Sequence, residues 1–215
     1  MEVPIRDGNK TLLFDFDGVI VNTFRLSYES MKKVVLNPPN EESYRKWFEK
    51  SIYDNEDYKL KNKGSQPSVS ENDSFFKEYT PLLMKEKPVS GIADVIQELH
   101  KSHRLVIISS TINSPVKNYL DKHNLSQYFD GIYGGDTHTS KVAKIKMVFA
   151  EFNVTAGDCL FITDTLGDIR EAEKAGVKSI GVTWGFHKLE TLQKGSPVAI
   201  ANTPEELLSL IRVTL

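Results

Sequence analysis

From Leu99 onward, short β-rich runs alternate with helical patterns, and this alternation constrains the fold more than any other feature of the chain. Arg104–Ser109 reads as a buried strand, Ser114–His123 as a helix with Pro115 at its first position, and Asp130–Tyr133 as a short strand before Gly134-Gly135. Val142, Ile145, Phe149 and Phe152 recur at helical spacing, so Ser140–Phe152 reads as an amphipathic helix. Cys159–Thr163 is a further apolar strand. Asp168–Ala175 is a helix that Gly176 closes. Ser179–Thr183 and Pro197–Ala201 read as strands and Glu205–Val213 as a last helix. Strands separated by helices imply βαβ units, hence an α/β fold with a mainly parallel, Rossmann-like sheet.

The first strand, Thr11–Phe16, is followed by a stretch that breaks this rhythm. Helices are expected near Ser27–Leu36, stopped by Pro38-Pro39, near Glu41–Tyr53, and near Phe75–Lys85 around Pro81. Between the last two lies a polar, low-complexity run, Lys59–Asp73, expected to be a loop. The predicted organisation is therefore a core of residues 1–22 and 88–215, with residues 23–87 as a small helical insert. The aromatics Tyr44, Trp47, Phe48, Tyr53, Phe75, Phe76 and Tyr79 are most simply the insert's own core.

Parallel sheets bind ligands beyond the carboxyl ends of their strands. Four groups of polar residues follow apolar runs there. In Leu13-Phe14-Asp15-Phe16-Asp17-Gly18, Asp15 and Asp17 are two apart and project to one side, and Gly18 permits a sharp turn. Two neighbouring carboxylates need a cation or a shared proton. With a magnesium ion, one can be a nucleophile and the other a proton donor. Ser109, with Ser110 and Thr111, follows Val106-Ile107-Ile108, where hydroxyls and a helix start suit a phosphoryl group. Lys141 lies in the first turn of its helix, a costly place for a cation unless an anion faces it. Asp164 ends a strand and Asp168 begins a helix, a pair suited to a hard cation. Each group also has an ordinary use: a turn cap, a helix cap, a solvated lysine face shared with Lys144 and Lys146.

The order of these groups is more specific than any one of them. It resembles the haloacid dehalogenase-like hydrolase superfamily, over about residues 10–22 and 88–215. Asp15-Phe16-Asp17-Gly18-Val19 matches motif one, Ser109 motif two, Lys141 motif three, and Asp164 through Asp168 motif four. Gly181-Val182-Thr183-Trp184-Gly185-Phe186-His187 is similar to the phosphoglycolate phosphatase-like branch. The resemblance implies that Asp15 attacks phosphorus and that Asp17 acts as general acid and base. Magnesium (Mg2+) would be held by the Asp15 side chain, the Asp17 backbone carbonyl and Asp164, with Asp168 and Gly18 in support. Ser109, Ser110 and Lys141 would bind phosphoryl oxygens, with Lys144 as the alternative lysine. The insert would correspond to a C1-type helical cap. Thr163, where the family usually has Gly, and Asn22, where an acidic residue is common, depart from the pattern. His138 and His187 read as surface or hydrogen-bonded histidines and Cys159 as a buried strand residue.

The expected activity is magnesium-dependent hydrolysis of a small phosphorylated metabolite through an aspartyl-phosphate. A beta-phosphoglucomutase-like phosphotransferase and a catalytically silent binding protein stay open beside it. Hydrophobic residues at 40% and charged residues at 26% exclude a disordered chain. A net charge of −2 gives no basic field for nucleic acid or an anionic membrane. No apolar run approaches the ~20 residues of a membrane span, and the N-terminus shows no apolar signal core. One cysteine excludes an intramolecular disulfide and a multi-cysteine zinc site. The expectation is a cytoplasmic monomer or homodimer.

Overall fold

The computed structural model describes residues 10–35, 37–54 and 69–215. Its centre is a six-stranded sheet with every pairing parallel, in the order β3-β2-β1-β4-β5-β6. The strands are β1 (Thr11–Phe14), β2 (Arg104–Ile108), β3 (Gly131–Tyr133), β4 (Cys159–Thr163), β5 (Lys178–Val182) and β6 (Ala199–Ala201). The nine α-helices among the described residues are α1 (Phe24–Val34), α2 (Glu41–Trp47), α3 (Ser74–Leu83), α4 (Ile92–His100), α5 (Asn113–Lys122), α6 (Lys141–Phe152), α7 (Leu166–Lys174), α8 (Leu189–Leu192) and α9 (Pro204–Thr214).

Alternation along the strands builds two cores. Leu12, Phe14, Leu105, Ile107, Leu160 and Ile162 face one side, against apolar residues of α4, α5 and α9. Leu13, Val106, Ile108, Cys159 and Phe161 face the other, against Ile145 and Val148 of α6 and Ala172 of α7. Strands covered on both faces read as continuous apolar runs, which is why β2 and β4 are visible in the sequence.

Boundaries moved where capping decides them. β1 stops at Phe14, two residues before Phe16, because the Val19, Ile20 and Val21 amides all turn back to the Phe16 carbonyl. α5 begins at Asn113, so Pro115 is its third residue. α7 starts at Leu166, two residues early, because the Thr165 side chain accepts from the Asp168 amide. Gly176 follows α7 with φ at +76°, as expected of a closing glycine. Helix α4 had no counterpart in the sequence reading; its N-cap, Gly91, has φ of +85° and no capping side chain to announce it.

In the insert, α1 begins at Phe24, earlier than expected, and the expected stop at Leu36 lies outside the described residues. The expected second helix divides into α2 and a 3-10 turn, Ile52–Asp54. Pro81 sits inside α3. Residues 59–68 of the expected polar loop lie outside the described residues. Phe24, Tyr28, Met31, Tyr44, Trp47 and Phe186 form a third apolar cluster. Leu26, Phe76, Tyr79 and Leu83 instead join the sheet's main core, so α3 is anchored to the sheet and not only to its own helices.

Candidate active site

The strand order reverses direction at β1, between β2 and β4, which opens a crevice at their carboxyl ends. Asp15 follows β1, Ser109 follows β2 and Asp164 follows β4, so the topology alone gathers three of the four groups. Lys141 arrives from the first turn of α6 and Asp168 from that of α7.

Lys141 is 2% exposed, and its Nζ donates to Asp15 Oδ2 at 2.7 Å and Asp168 Oδ2 at 2.8 Å. Burial works against its charge, but the two carboxylates hold its pKa above the ordinary lysine value. Asp15 Oδ1 accepts from the Phe16 amide at 2.8 Å. Burial raises the Asp15 pKa well above the usual carboxylate range, opposed by Lys141 and reinforced by the charge of Asp168. Burial also opposes ionisation of Asp168, but Lys141 and hydrogen bonds hold it down to about 2. Thr163, at the position of the expected glycine, donates its hydroxyl to Asp168 Oδ2 at 3.0 Å. Its side chain therefore orients this carboxylate.

Asp164 is fully buried between two glycines. A Cβ on Gly18 would lie 1.8 Å from Asp164 Oδ2, and one on Gly185 would lie 2.2 Å from it. Gly18 also has φ of +74°, which side chains rarely adopt. Asp164 Oδ2 accepts from the Phe186 amide at 2.6 Å, whereas Oδ1 has no partner. Burial and the neighbouring charge of Asp168 push its pKa up to about 8, against the Phe186 hydrogen bond. Carboxylate oxygens of Asp15, Asp164 and Asp168 lie within 4.8 Å of one another. Three hard oxygen donors and an orphaned buried oxygen fit a divalent cation such as magnesium.

Asp17 is held differently. Its Oδ1 accepts from Thr23 Oγ1 at 2.8 Å and from the Tyr79 hydroxyl, and its Oδ2 from Thr111 Oγ1 at 2.8 Å and Ser109 Oγ at 3.5 Å. Its carboxylate is thus turned to hydroxyl donors and stands outside the acidic cluster. The Ser109 hydroxyl also accepts from the Thr111 amide at 2.9 Å. Lys144, the alternative lysine, spends its ammonium on the Ser109 and Gly134 carbonyls. Burial and the charge of Lys141 push its pKa down to about 7.

Asp15, Asp17, Ser110, Thr111, Lys141 and Asp164 line a cavity of about 80 Å3, room for several waters or a small ligand. Its other wall is the insert: Met31, Tyr44, Phe48, Ile52, Tyr53, Phe75, Phe76 and Tyr79. Six of the seven aromatics read as insert core therefore also face the cavity; Trp47 does not. The insert is hydrogen-bonded to the core loops around it. The Gly167 amide donates to Phe48 O at 2.9 Å and the Tyr53 hydroxyl to Ser110 O at 2.7 Å. His187 Nδ1 accepts from the Leu166 amide at 2.9 Å, so its Nε2 carries the proton and donates to Arg45 O at 2.8 Å. His138 is exposed and accepts from the Ser140 amide. Asn22 donates to Trp184 O at 2.8 Å.

Sequence reasoning gave no place around Asp17 to Thr23 or Tyr79 and none around Asp164 to Gly185 or Phe186, and it set Thr111 beside Ser109 only as a hydroxyl for a phosphoryl group. Thr111 stood beside Ser109 and Phe186 within the Gly181–His187 stretch, so a local signal existed for both. Tyr79 had none.

Among the described residues, no helix is long and apolar enough to cross a membrane. A phosphoglycolate phosphatase of Aquifex aeolicus is 27% identical over 218 residues, covering 94% of this chain and 96% of that protein. One from Vibrio parahaemolyticus is 25% identical over 127 residues, 57% of this chain and 56% of its own length. The chain thus matches about half the length of some of its curated relatives. A structure described as a predicted phosphatase from Clostridium acetobutylicum superposes with a TM-score of 0.76 at 22% identity, covering 94% of this chain and 98% of that one, which shows the shared fold. The sequence model of the haloacid dehalogenase-like hydrolases matches residues 12–182, and the chain belongs to that family.

Proposed function

We propose that the protein is a magnesium-dependent phosphatase for a small phosphomonoester, phosphoglycolate phosphatase-like, with residues 23–87 as a helical cap over the site. The observation that carries this reading is the buried cluster of Asp15, Asp164 and Asp168 around Lys141, opening on a cavity roofed by the insert. Its likeness to named phosphoglycolate phosphatases supports the substrate class.

Asp15 attacks phosphorus while the ester P–O bond breaks, and Asp17 gives its proton to the departing oxygen. Water then attacks the aspartyl-phosphate and leaves its proton on Asp17, and phosphate departs. Lys141 lies within ion-pair distance of the nucleophile and offsets phosphoryl charge as it develops. Ser110, which faces the cavity, and Ser109 behind it offer hydroxyls to phosphoryl oxygens. Asp15, Asp164 and the Asp17 carbonyl would hold magnesium, with Asp168 in support. When bound, the ion supplies charge neutralisation and keeps Asp15 ionised. The insert excludes water from the reacting centre.

The test is p-nitrophenyl phosphate and a panel of phosphometabolites, each with magnesium and with chelator. Magnesium-dependent release that Asp15→Asn abolishes supports the reading. Release from no substrate, or undiminished release by Asp15→Asn, rejects it.

A further inference from the structure

Asp17 is bracketed by four hydroxyls from three separated parts of the chain. Thr23 stands just before α1, Ser109 and Thr111 follow β2, and Tyr79 is carried by α3 of the insert, 62 residues away. A carboxylate oxygen offers two lone-pair directions. On Oδ1 both are taken, by Thr23 Oγ1 at 2.8 Å and by the Tyr79 hydroxyl. On Oδ2 Thr111 takes one at 2.8 Å, and Ser109 reaches the other only at 3.5 Å. Oδ2 is therefore the oxygen with capacity to spare.

Tyr79 is built to stay where it is. It is 1% exposed, its ring lies 5.3 Å from that of Phe75 in a stacked arrangement, and Phe76 meets it edge-on at 6.4 Å. Burial, the charge of Asp17 and their hydrogen bond raise its pKa well above the usual phenol value, so it remains a neutral donor. Both Tyr79 and Asp17 line the cavity.

We propose that Tyr79 is a positioning residue for the proton transfer: by filling Oδ1 of Asp17 from the insert, it confines the transferred proton to Oδ2, the oxygen with capacity to spare. This rests on the phosphatase reading, in which the proton leaves Asp17 Oδ2 for the ester oxygen as the P–O bond breaks and returns to it from the attacking water. Without the phenol, Oδ1 can take the proton or the carboxyl can turn, and Asp17 is no longer a fixed acid. The arrangement also makes proton transfer depend on the insert being docked, because the hydroxyl belongs to the insert and the carboxylate to the core.

The test compares two esters of nearly the same shape. Phenol is a poor leaving group that needs a proton; p-nitrophenolate leaves without one. For Tyr79→Phe, which keeps the ring, kcat/KM for phenyl phosphate falls about 10–100-fold while that for p-nitrophenyl phosphate falls less than about threefold. In an Asp17→Asn background the same substitution produces no further selective loss. Equal losses on both esters, or no loss on either, overturn the inference and leave the phosphatase reading intact. A wild type inactive on both esters and on the metabolite panel defeats that reading and the inference with it. If Tyr79→Phe loses its cooperative thermal transition, Thr23→Val serves instead. It strips the other donor from Oδ1 and is expected to show the same leaving-group selectivity; equal losses there also overturn the inference.

Discussion

Lys141 Nζ stands 2.7 Å from Asp15 Oδ2, with side-chain exposures of 2% and 6%. The same ammonium reaches Asp168, so one cation holds two buried carboxylates that would otherwise face each other. Replacing it with the similarly long Lys141→Met leaves both uncompensated. Breaking such a buried network costs about 3–5 kcal/mol, or about 10 °C in Tm for a chain of this size. Thermal melting of Lys141→Met checks this, with a smaller deficit when magnesium is added. An unchanged Tm in chelator would show that the lysine is not carrying the charge balance.

Gly18 and Gly185 pinch Asp164 from two sides. Gly18→Ala places a methyl on the carboxylate and asks Ala for φ of +74°. Magnesium affinity, measured by calorimetry, is expected to fall about 10–100-fold. Affinity equal to wild type would remove Asp164 from the proposed metal site.

Asp164 has a pKa of about 8 in the folded chain, raised by burial above its value of 3.8 when exposed. A raised folded pKa favours folding at low pH, and that contribution is lost as pH climbs from about 4 through about 8. The metal-free protein should therefore lose Tm over that window. Magnesium held at this carboxylate, as proposed, would displace the proton, so the Tm gain on adding magnesium should be larger at pH 8 than at pH 6. Melts with chelator and with magnesium at both values read this directly; a gain independent of pH contradicts it.

At Gly167 a Cβ would lie 2.4 Å from the Lys50 carbonyl and 2.8 Å from that of Phe48. Gly167→Ala pushes the insert off the core and breaks the amide bond to Phe48. KM is expected to rise several-fold and limited proteolysis within the insert to accelerate, at a stability cost of about 1–3 kcal/mol. Wild-type KM and proteolysis would show that the insert does not depend on this contact.

The sheet and the acidic cluster were legible because their signals are local. Cys159–Thr163 is a continuous apolar run bounded by polar residues, and it folds with those limits. Asp15 and Asp164 follow such runs, so strand order alone brings them together. Helix α4 was missed because its glycine N-cap gives no side-chain signal. The surroundings of Asp17 were illegible for a different reason. Its donors come from residues 23, 79, 109 and 111, and no periodicity relates Tyr79 to Asp17. The aromatics of the insert were read as its own core because composition cannot tell a packed ring from one that packs and also faces a cavity.

The central claim is that Asp15 becomes phosphorylated, and the most direct measurement is a rapid-mixing experiment on Asp17→Asn with p-nitrophenyl phosphate and magnesium. The leaving group needs no proton, so on this account the intermediate forms while its hydrolysis, for which Asp17 is the proposed base, is slowed. The account predicts a burst of nitrophenolate of about one equivalent per chain. Borohydride quenching should convert residue 15 to homoserine, found by peptide mapping, and Asp15→Asn should show neither. Nitrophenolate and phosphate released together without a burst, with Asp15 unmodified, would contradict it and point to direct attack by water.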